Sequence, residues 1–134
     1  MIKLEGRLLS FGTINKNLDV FDKTCDIDIS EKIPLCWNFE HMTPIGVAEV
    51  SRDDKGLICK AEIFPNVSNN IDINDILSDG KIGVGGFYTN VKKHEYKNLT
   101  IIDAAVLKEV SLTLAPVSDD YYLEIIKEEL RWLN

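Results

Sequence analysis

Two apolar segments joined by a polar loop that ends in glycine constrain the fold of this chain most. Residues 45–50 and 57–64 are rich in strand-forming side chains, and the loop between them, residues 51–56, reads SRDDKG. Apolar runs on both sides of a short polar loop containing glycine are typical of a β-hairpin. The sequence therefore predicts antiparallel sheet in the middle of the chain.

Further strand-like segments lie on both sides of this hairpin. Their alternating or continuous apolar character predicts strands at residues 2–11, 34–39, 81–88, 99–102 and 109–114. The polar sequence of residues 15–19 indicates a turn, and the charged residues 92–98 are expected to form another. Residues 21–31 have no clear pattern.

Two helices are expected in addition to the strands. Asn70 or Asp72 is suited to cap a short middle helix ending at Leu77. Ser118, followed by two aspartates, is expected to cap a C-terminal helix. That helix either packs on its own sheet or contacts a partner subunit, and the contact candidates are Tyr122, Ile126, Leu130, Trp132 and Leu133. The predicted fold class is α+β and mainly antiparallel.

Length and composition exclude several classes of protein. With 134 residues the chain is expected to form a single domain, residues 1–134. A net charge of −7 argues against nucleic-acid binding. Three scattered cysteines favour reduced thiols in a cytosolic protein. The N-terminus does not resemble a signal peptide, and no apolar run approaches the roughly 20 residues of a membrane helix.

The segment KIGVGGFY, residues 81–88, carries three glycines in an apolar run. A phosphate-binding loop would end in Gly-Lys-Ser or Gly-Lys-Thr and lead into a helix, and this segment does neither. Its glycines are better explained by a bulge or by the close approach of another strand. His41 and His94, the only histidines, lack metal-ligand partners at suitable spacing, and neither a metal nor another cofactor is expected.

Four segments, taken together, resemble the prohead proteases of tailed bacteriophages, serine proteases that remove the scaffold during capsid maturation. These segments are GRLLSFG with the following DVF, residues 34–63, IGVGGFY, and LKEVSLTLAP at residues 107–116. They occur in the order found in that family and cover most of the chain. The resemblance implies a β-barrel of the herpesvirus-protease kind and a catalytic set of Ser, His and Glu.

The catalytic positions carry over only in part. The acid falls on Glu109, but the histidine position falls on Phe39, with His41 two residues later. The nucleophile position falls on Val84, or on Gly85 after a slide of one residue. Losing both the nucleophile and the base leaves essentially no triad chemistry. Glu109 is then expected to be solvated or paired with a lysine or arginine.

The expected function is that of an inactive prohead-protease-like phage or prophage protein. It would act as a structural or binding module in capsid assembly, contacting head or scaffold proteins or copies of itself, in the host cytoplasm or on the virion. An active serine protease with a rearranged site is the alternative, with His41 as base, Glu109 to orient it, and Ser78, Thr89 or Ser111 as nucleophile. A small acidic binding domain unrelated to phage heads is the third.

Overall fold

The computed structural model describes residues 2–64 and 79–126, and within these ranges the chain is almost entirely β-sheet. The strands are β1 Ile2–Ser10, β2 Asp19–Ile29, β3 Ile33–Trp37, β4 Gly46–Arg52, β5 Gly56–Ile63, β6 Lys81–Tyr96, β7 Leu99–Thr113 and β8 Tyr122–Ile125.

Seven of these strands close into a barrel. The order around it is β7-β3-β4-β5-β1-β8-β6, and β6 pairs with β7 to complete the ring. The β2 strand lies outside the ring and pairs in parallel with the first half of β7. The β3 strand pairs in parallel with the second half of the same edge of β7. Strand β7 is therefore paired along both edges.

The barrel interior is filled by alternate side chains of its strands, because successive residues of a strand point to opposite faces. In β5, Leu57, Cys59, Ala61 and Ile63 are buried, whereas Lys60 between them is exposed. The other fully buried large side chains include Leu4, Leu8, Ile33, Leu35, Val84, Leu107, Val110, Leu112 and Leu123. Burial of this apolar area supplies most of the stabilisation of the fold.

The predicted central hairpin is confirmed as β4 and β5, which pair without a register shift from Gly46–Ile63 to Arg52–Leu57. Asp53 organises its loop by accepting the backbone N–H groups of Lys55 and Gly56. The same carboxylate accepts hydrogen bonds from the Nη1 and Nη2 atoms of Arg7, at 2.8 and 2.9 Å. Arg7 holds the pKa of Asp53 well below its usual range, so the pair ties β1 to the hairpin loop at neutral pH.

The expected α+β class is wrong, because no helix begins at Ser118. Residues Tyr122–Ile125 instead form β8, which lies between β1 and β6. The backbone of β8 is hydrogen-bonded to β1 on one side and to β6 on the other. Leu123 is fully buried in the core. Gly6 of β1 permits this pairing, since a Cβ there would collide with the backbone of Tyr122. The predicted middle helix lies outside the described residues.

The strands β6 and β7 are longer than the sequence indicated. Residues 92–96, expected in a turn, continue β6, and only Lys97 and Asn98 turn the chain. The two strands predicted at residues 99–102 and 109–114 are one continuous strand, β7. Residues 21–31, left unassigned, lie mostly in β2.

The irregular stretch of β2 between Phe21 and Asp26, which is not paired with β7, is contacted by an arginine. In the described part of the chain, β2 pairs with no strand other than β7. The guanidinium of Arg52 donates hydrogen bonds to the backbone carbonyls of Cys25 and Lys23, at 2.5 and 2.9 Å. It also lies 4.5 Å from the ring centroid of Phe11. Two carbonyls near the register shift of β2 are therefore satisfied by a side chain.

None of the described residues forms a helix with the length and apolar character needed to cross a membrane.

The position of Leu123 gives a test of β8. Replacing Leu123 with alanine should lower the free energy of unfolding by about 2–5 kcal/mol, because it opens a cavity in the core. Replacing the exposed neighbour Glu124 with alanine should change it by less than about 0.5 kcal/mol. Urea denaturation followed by tryptophan fluorescence measures both values. A Leu123→Ala variant as stable as Glu124→Ala would contradict the strand.

Candidate functional site

The residues singled out by the sequence meet on the outer face of β6 and β7. Gly85 pairs with Ser111 across the two strands, and Phe87 pairs with Glu109. Their neighbours Val84 and Leu112 point into the core, so these four residues face the outside of the barrel. The segment that follows β3 folds over this face.

That segment starts with a tight turn in an uncommon conformation. Asn38 and Phe39 both have positive φ, 49° and 60°, and the N–H of Glu40 donates to the carbonyl of Trp37 at 3.0 Å. Two successive residues with positive φ at the centre of a turn are the mark of type I′, which normally prefers asparagine and glycine. Asn38 fits this preference, but a phenylalanine in the second central position is strained.

Strand β7 holds the strained turn in place. The N–H of Phe39 donates to the Oγ of Ser111 at 2.7 Å, and the N–H of Asn38 donates to the carbonyl of Leu112 at 2.8 Å. Ser111 is fully buried, and its hydroxyl lies 3.3 Å from the Leu112 carbonyl, to which it donates. A backbone conformation that costs energy persists only where the surroundings determine it strongly. Ser111 therefore has a structural function.

The turn places the ring of Phe39 over Gly85. A Cβ added to Gly85 would lie 2.9 Å from the Cζ of Phe39, so the ring occupies the space beside this residue. Phe39 remains 37% exposed, so its outer surface is open to solvent. The place where a nucleophilic side chain would stand at residue 85 is therefore filled by an aromatic ring.

His41 and Glu109 form an acid–base pair at the same place. The Nδ1 of His41 is hydrogen-bonded to Oε2 of Glu109, and the ring of Phe87 packs on the imidazole with centroids 4.5 Å apart. A carboxylate that accepts the Nδ1 proton fixes the tautomer of the imidazole and leaves Nε2 as a hydrogen-bond acceptor. The pair has the same connectivity as the histidine and acid of a catalytic triad.

Cys36 adds a thiol beneath this pair. Its Sγ lies 3.7 Å from Oε2 of Glu109, and the side chain is fully buried. Burial and the neighbouring carboxylate raise the pKa of Cys36 to about 11. The thiol stays protonated at neutral pH and donates to Glu109 rather than acting as a nucleophile.

No hydroxyl group of the described residues is hydrogen-bonded to the imidazole of His41. The hydroxyl of Ser111 serves the turn, and that of Thr89 is buried without any hydrogen-bond partner among these residues. Val84, at the position matched to the family nucleophile, points into the core and contributes to it. Ser78, the remaining candidate, lies outside the described residues.

The structure thus brings together Phe39, His41, Gly85 and Glu109, and it separates Val84 from them. The expectation that Glu109 is solvated or paired with a lysine or arginine is wrong, because its partner is His41. Sequence reasoning missed Cys36 and Phe87, although both belong to the segments that carry the resemblance. Of the predicted partner contacts, Tyr122 lies in β8 and Ile126 directly follows it. Leu130, Trp132 and Leu133 lie outside the described residues.

Among residues 2–64 and 79–126, no cluster of three or more His, Cys, Asp or Glu side chains has a geometry suited to a metal ion. The other histidine, His94, is bonded through Nδ1 to Asp103 at 2.6 Å on the exposed part of β6 and β7.

Comparison with known proteins gives no relative: no family model, curated protein sequence or solved structure matches this chain.

The role of Ser111 leads to a stability prediction. Ser111→Ala should lower the free energy of unfolding by about 1–3 kcal/mol, because the N–H of Phe39 loses its acceptor in a part-buried hydrogen bond. The exposed Ser51 provides the control, and Ser51→Ala should remain within about 0.5 kcal/mol of the parent protein. Amide hydrogen exchange should also become faster at Phe39 in the Ser111→Ala variant. Unchanged stability and exchange would show that the turn does not depend on this hydroxyl.

Proposed function

We propose that this protein is a catalytically inactive barrel of the prohead-protease kind that serves as a binding or structural module in phage capsid assembly. The observation that carries the proposal is an acid–base pair to which the described residues supply no nucleophile. His41 and Glu109 are in contact, while the ring of Phe39 occupies the space beside Gly85.

The chemistry of acyl transfer is the reason to expect no activity from this arrangement. A triad needs a hydroxyl or thiol within hydrogen-bond reach of the histidine. Ser111 is committed to the Phe39 turn, and Cys36 keeps its proton. Losing the nucleophile of a triad costs several orders of magnitude in rate. An inactive role is therefore favoured for the site that the described residues form.

The phage context of the proposal derives from the resemblance of four sequence segments, and the closed barrel agrees with the fold that this resemblance implies. On this proposal, head or scaffold proteins and further copies of the chain are the partners. The host cytoplasm and the virion are then the places where it acts.

The surface around His41 is suited to binding. Phe39 and Phe87 are each 37% exposed, and Met42, next to His41 in the chain, is 94% exposed. We call Phe39, Met42 and Phe87 the His41 rim. Exposed aromatic and methionine side chains are frequent at protein interfaces, where they carry much of the binding energy. The rim is the contact surface that this proposal favours.

One observation favours an active serine protease as the second candidate. The contact between His41 and Glu109 forms the correct histidine–acid unit for general-base catalysis. A nucleophile would then have to come from Ser78, from a rearranged Thr89 or Ser111, or from another hydroxyl brought to Nε2 of His41.

A fluorophosphonate probe, which reacts covalently with activated serines, distinguishes these two functions. We expect no stoichiometric labelling of the parent protein, detected by intact-protein mass spectrometry, because none of the described residues places a hydroxyl in hydrogen-bond contact with His41. A known serine hydrolase under the same conditions provides the positive control. Labelling of the parent protein that disappears in His41→Ala would refute the inactive function.

The binding function is tested by co-expression with the head proteins encoded by neighbouring genes. Phage capsid, portal or scaffold genes beside this one would support the context, and their absence would argue against it. Replacing both Met42 and Phe87 with serine should weaken co-purification with the head-protein partner at least tenfold. The control is Tyr96→Ser, which changes an exposed aromatic residue at the far end of β6. Equal effects of the two variants would show that the His41 rim is not the contact surface.

A further inference from the structure

A cavity of about 350 Å³ lies beside the candidate site. Phe39 and Gly85 form part of its wall, and the cavity extends from them to the end of the barrel where Tyr121 lies. Most of the lining is apolar, and the side chains that matter here are those of Leu8, Phe21, Tyr88, Ile102, Val117 and Tyr121. Sites for small organic molecules are typically mostly apolar and begin at about 300 Å³.

Tyr88 supplies a polar group without a partner in this wall. Its ring packs on Phe21, with centroids 5.0 Å apart, and folds back over Gly86. A Cβ added to Gly86 would lie 2.7 Å from both the Cζ and the hydroxyl oxygen of Tyr88, and Gly86 also lines the cavity. Because Gly86 has no Cβ, the Tyr88 hydroxyl can lie against its backbone at the cavity wall.

The Tyr88 hydroxyl makes no hydrogen bond to any residue in the ranges 2–64 and 79–126. The neighbouring tyrosine differs, because the hydroxyl of Tyr121 accepts the N–H of Ser10 at 3.2 Å. Tyr88 is half-buried, and a tyrosine hydroxyl at an apolar wall usually has a hydrogen-bond partner. Burial also raises the pKa of Tyr88, so its hydroxyl remains a neutral donor.

The charged residues around the cavity favour neither a cationic nor an anionic ligand. Asp19 and Lys93 both line it, one from β2 and one from β6. A charged ligand would meet one like charge and would lose hydration against the apolar wall. An uncharged ligand has neither cost.

We propose that this cavity is a binding site for a small uncharged organic molecule with a ring as its apolar body and a carbonyl or ether oxygen that accepts a hydrogen bond from Tyr88. This inference is independent of the phage proposal, since it depends on the cavity alone. The ligand would also touch Phe39, which connects the cavity to the strained turn.

Three probes with the same ring and different charges test the proposal: acetophenone, benzoate and benzylamine. Titrations followed by amide chemical shifts in nitrogen–proton correlation spectra should give a saturable response to acetophenone, centred on Phe21, Gly86 and Tyr88. Benzoate and benzylamine should bind at least tenfold more weakly. No saturable response to acetophenone at these amides, or equal binding of a charged probe, would overturn the proposal.

A second comparison isolates the hydrogen bond. Tyr88→Phe should weaken acetophenone binding about threefold to tenfold, the range expected for one hydrogen bond. It should not weaken binding of toluene, which has the ring but no acceptor. Tyr96→Phe, an exposed tyrosine outside the cavity, is the matched control and should change neither affinity. An unchanged affinity of Tyr88→Phe for acetophenone would exclude the proposed contact.

A variant that fills the cavity provides an independent check. Val117→Trp places a large side chain at a half-buried position of the lining and should abolish the acetophenone response. The same spectra show whether the variant is folded. If a folded Val117→Trp protein binds acetophenone as tightly as the parent, the cavity is not the site.

Discussion

The pairing of β7 along both of its edges is the constraint on which the rest of the structure depends. One edge pairs with β6 and closes the barrel, while the other edge pairs first with β2 and then with β3. Its inward side chains, among them Leu107 and Leu112, fill the core. Its outward side chains at Glu109 and Ser111 carry the candidate site. The same strand therefore determines both the fold and the position of the functional groups.

The site combines this rigid strand with a strained turn. Without the buried hydroxyl of Ser111, the N–H of Phe39 would have no internal acceptor. The turn would then lose a hydrogen bond that stabilises the positive φ of Phe39. With it, the chain is directed so that Phe39 covers Gly85 and His41 reaches Glu109. A serine that could be mistaken for a nucleophile is thus the residue that fixes the aromatic cover.

Local patterns in the sequence predicted some of this architecture, and pairing between distant strands decided the rest. The β4–β5 hairpin was predictable because its turn and both strands are adjacent in sequence. The apolar residues of the last described segment also fit helical spacing, and only the ladders with β1 and β6 select the strand with Leu123 inside. No local signal shows that two such ladders are available.

The candidate site shows the same division. Its residues Phe39, His41, Gly85 and Glu109 could be found by matching segments to a family pattern. Their arrangement could not, because it depends on two successive residues with positive φ and on which face of β6 each glycine occupies. Counting along the chain placed the nucleophile position at Val84, and at Gly85 only after a slide of one residue, but of these two only Gly85 shares a face with Glu109. Cys36 and Phe87 are residue types that are common in strands. Nothing in the sequence therefore indicated that they lie beside Glu109 and His41.

The covering of β2 by Arg52 has a consequence for how the protein behaves at high concentration. An outer strand with free backbone groups is a template on which another molecule can add a strand. In the irregular stretch of β2 that β7 does not pair, two carbonyls accept hydrogen bonds from the Arg52 guanidinium, which also packs on the ring of Phe11. A second chain would have to displace both contacts and bring its backbone past a fixed positive charge. An arginine of the central hairpin therefore opposes the addition of a strand at this stretch of β2.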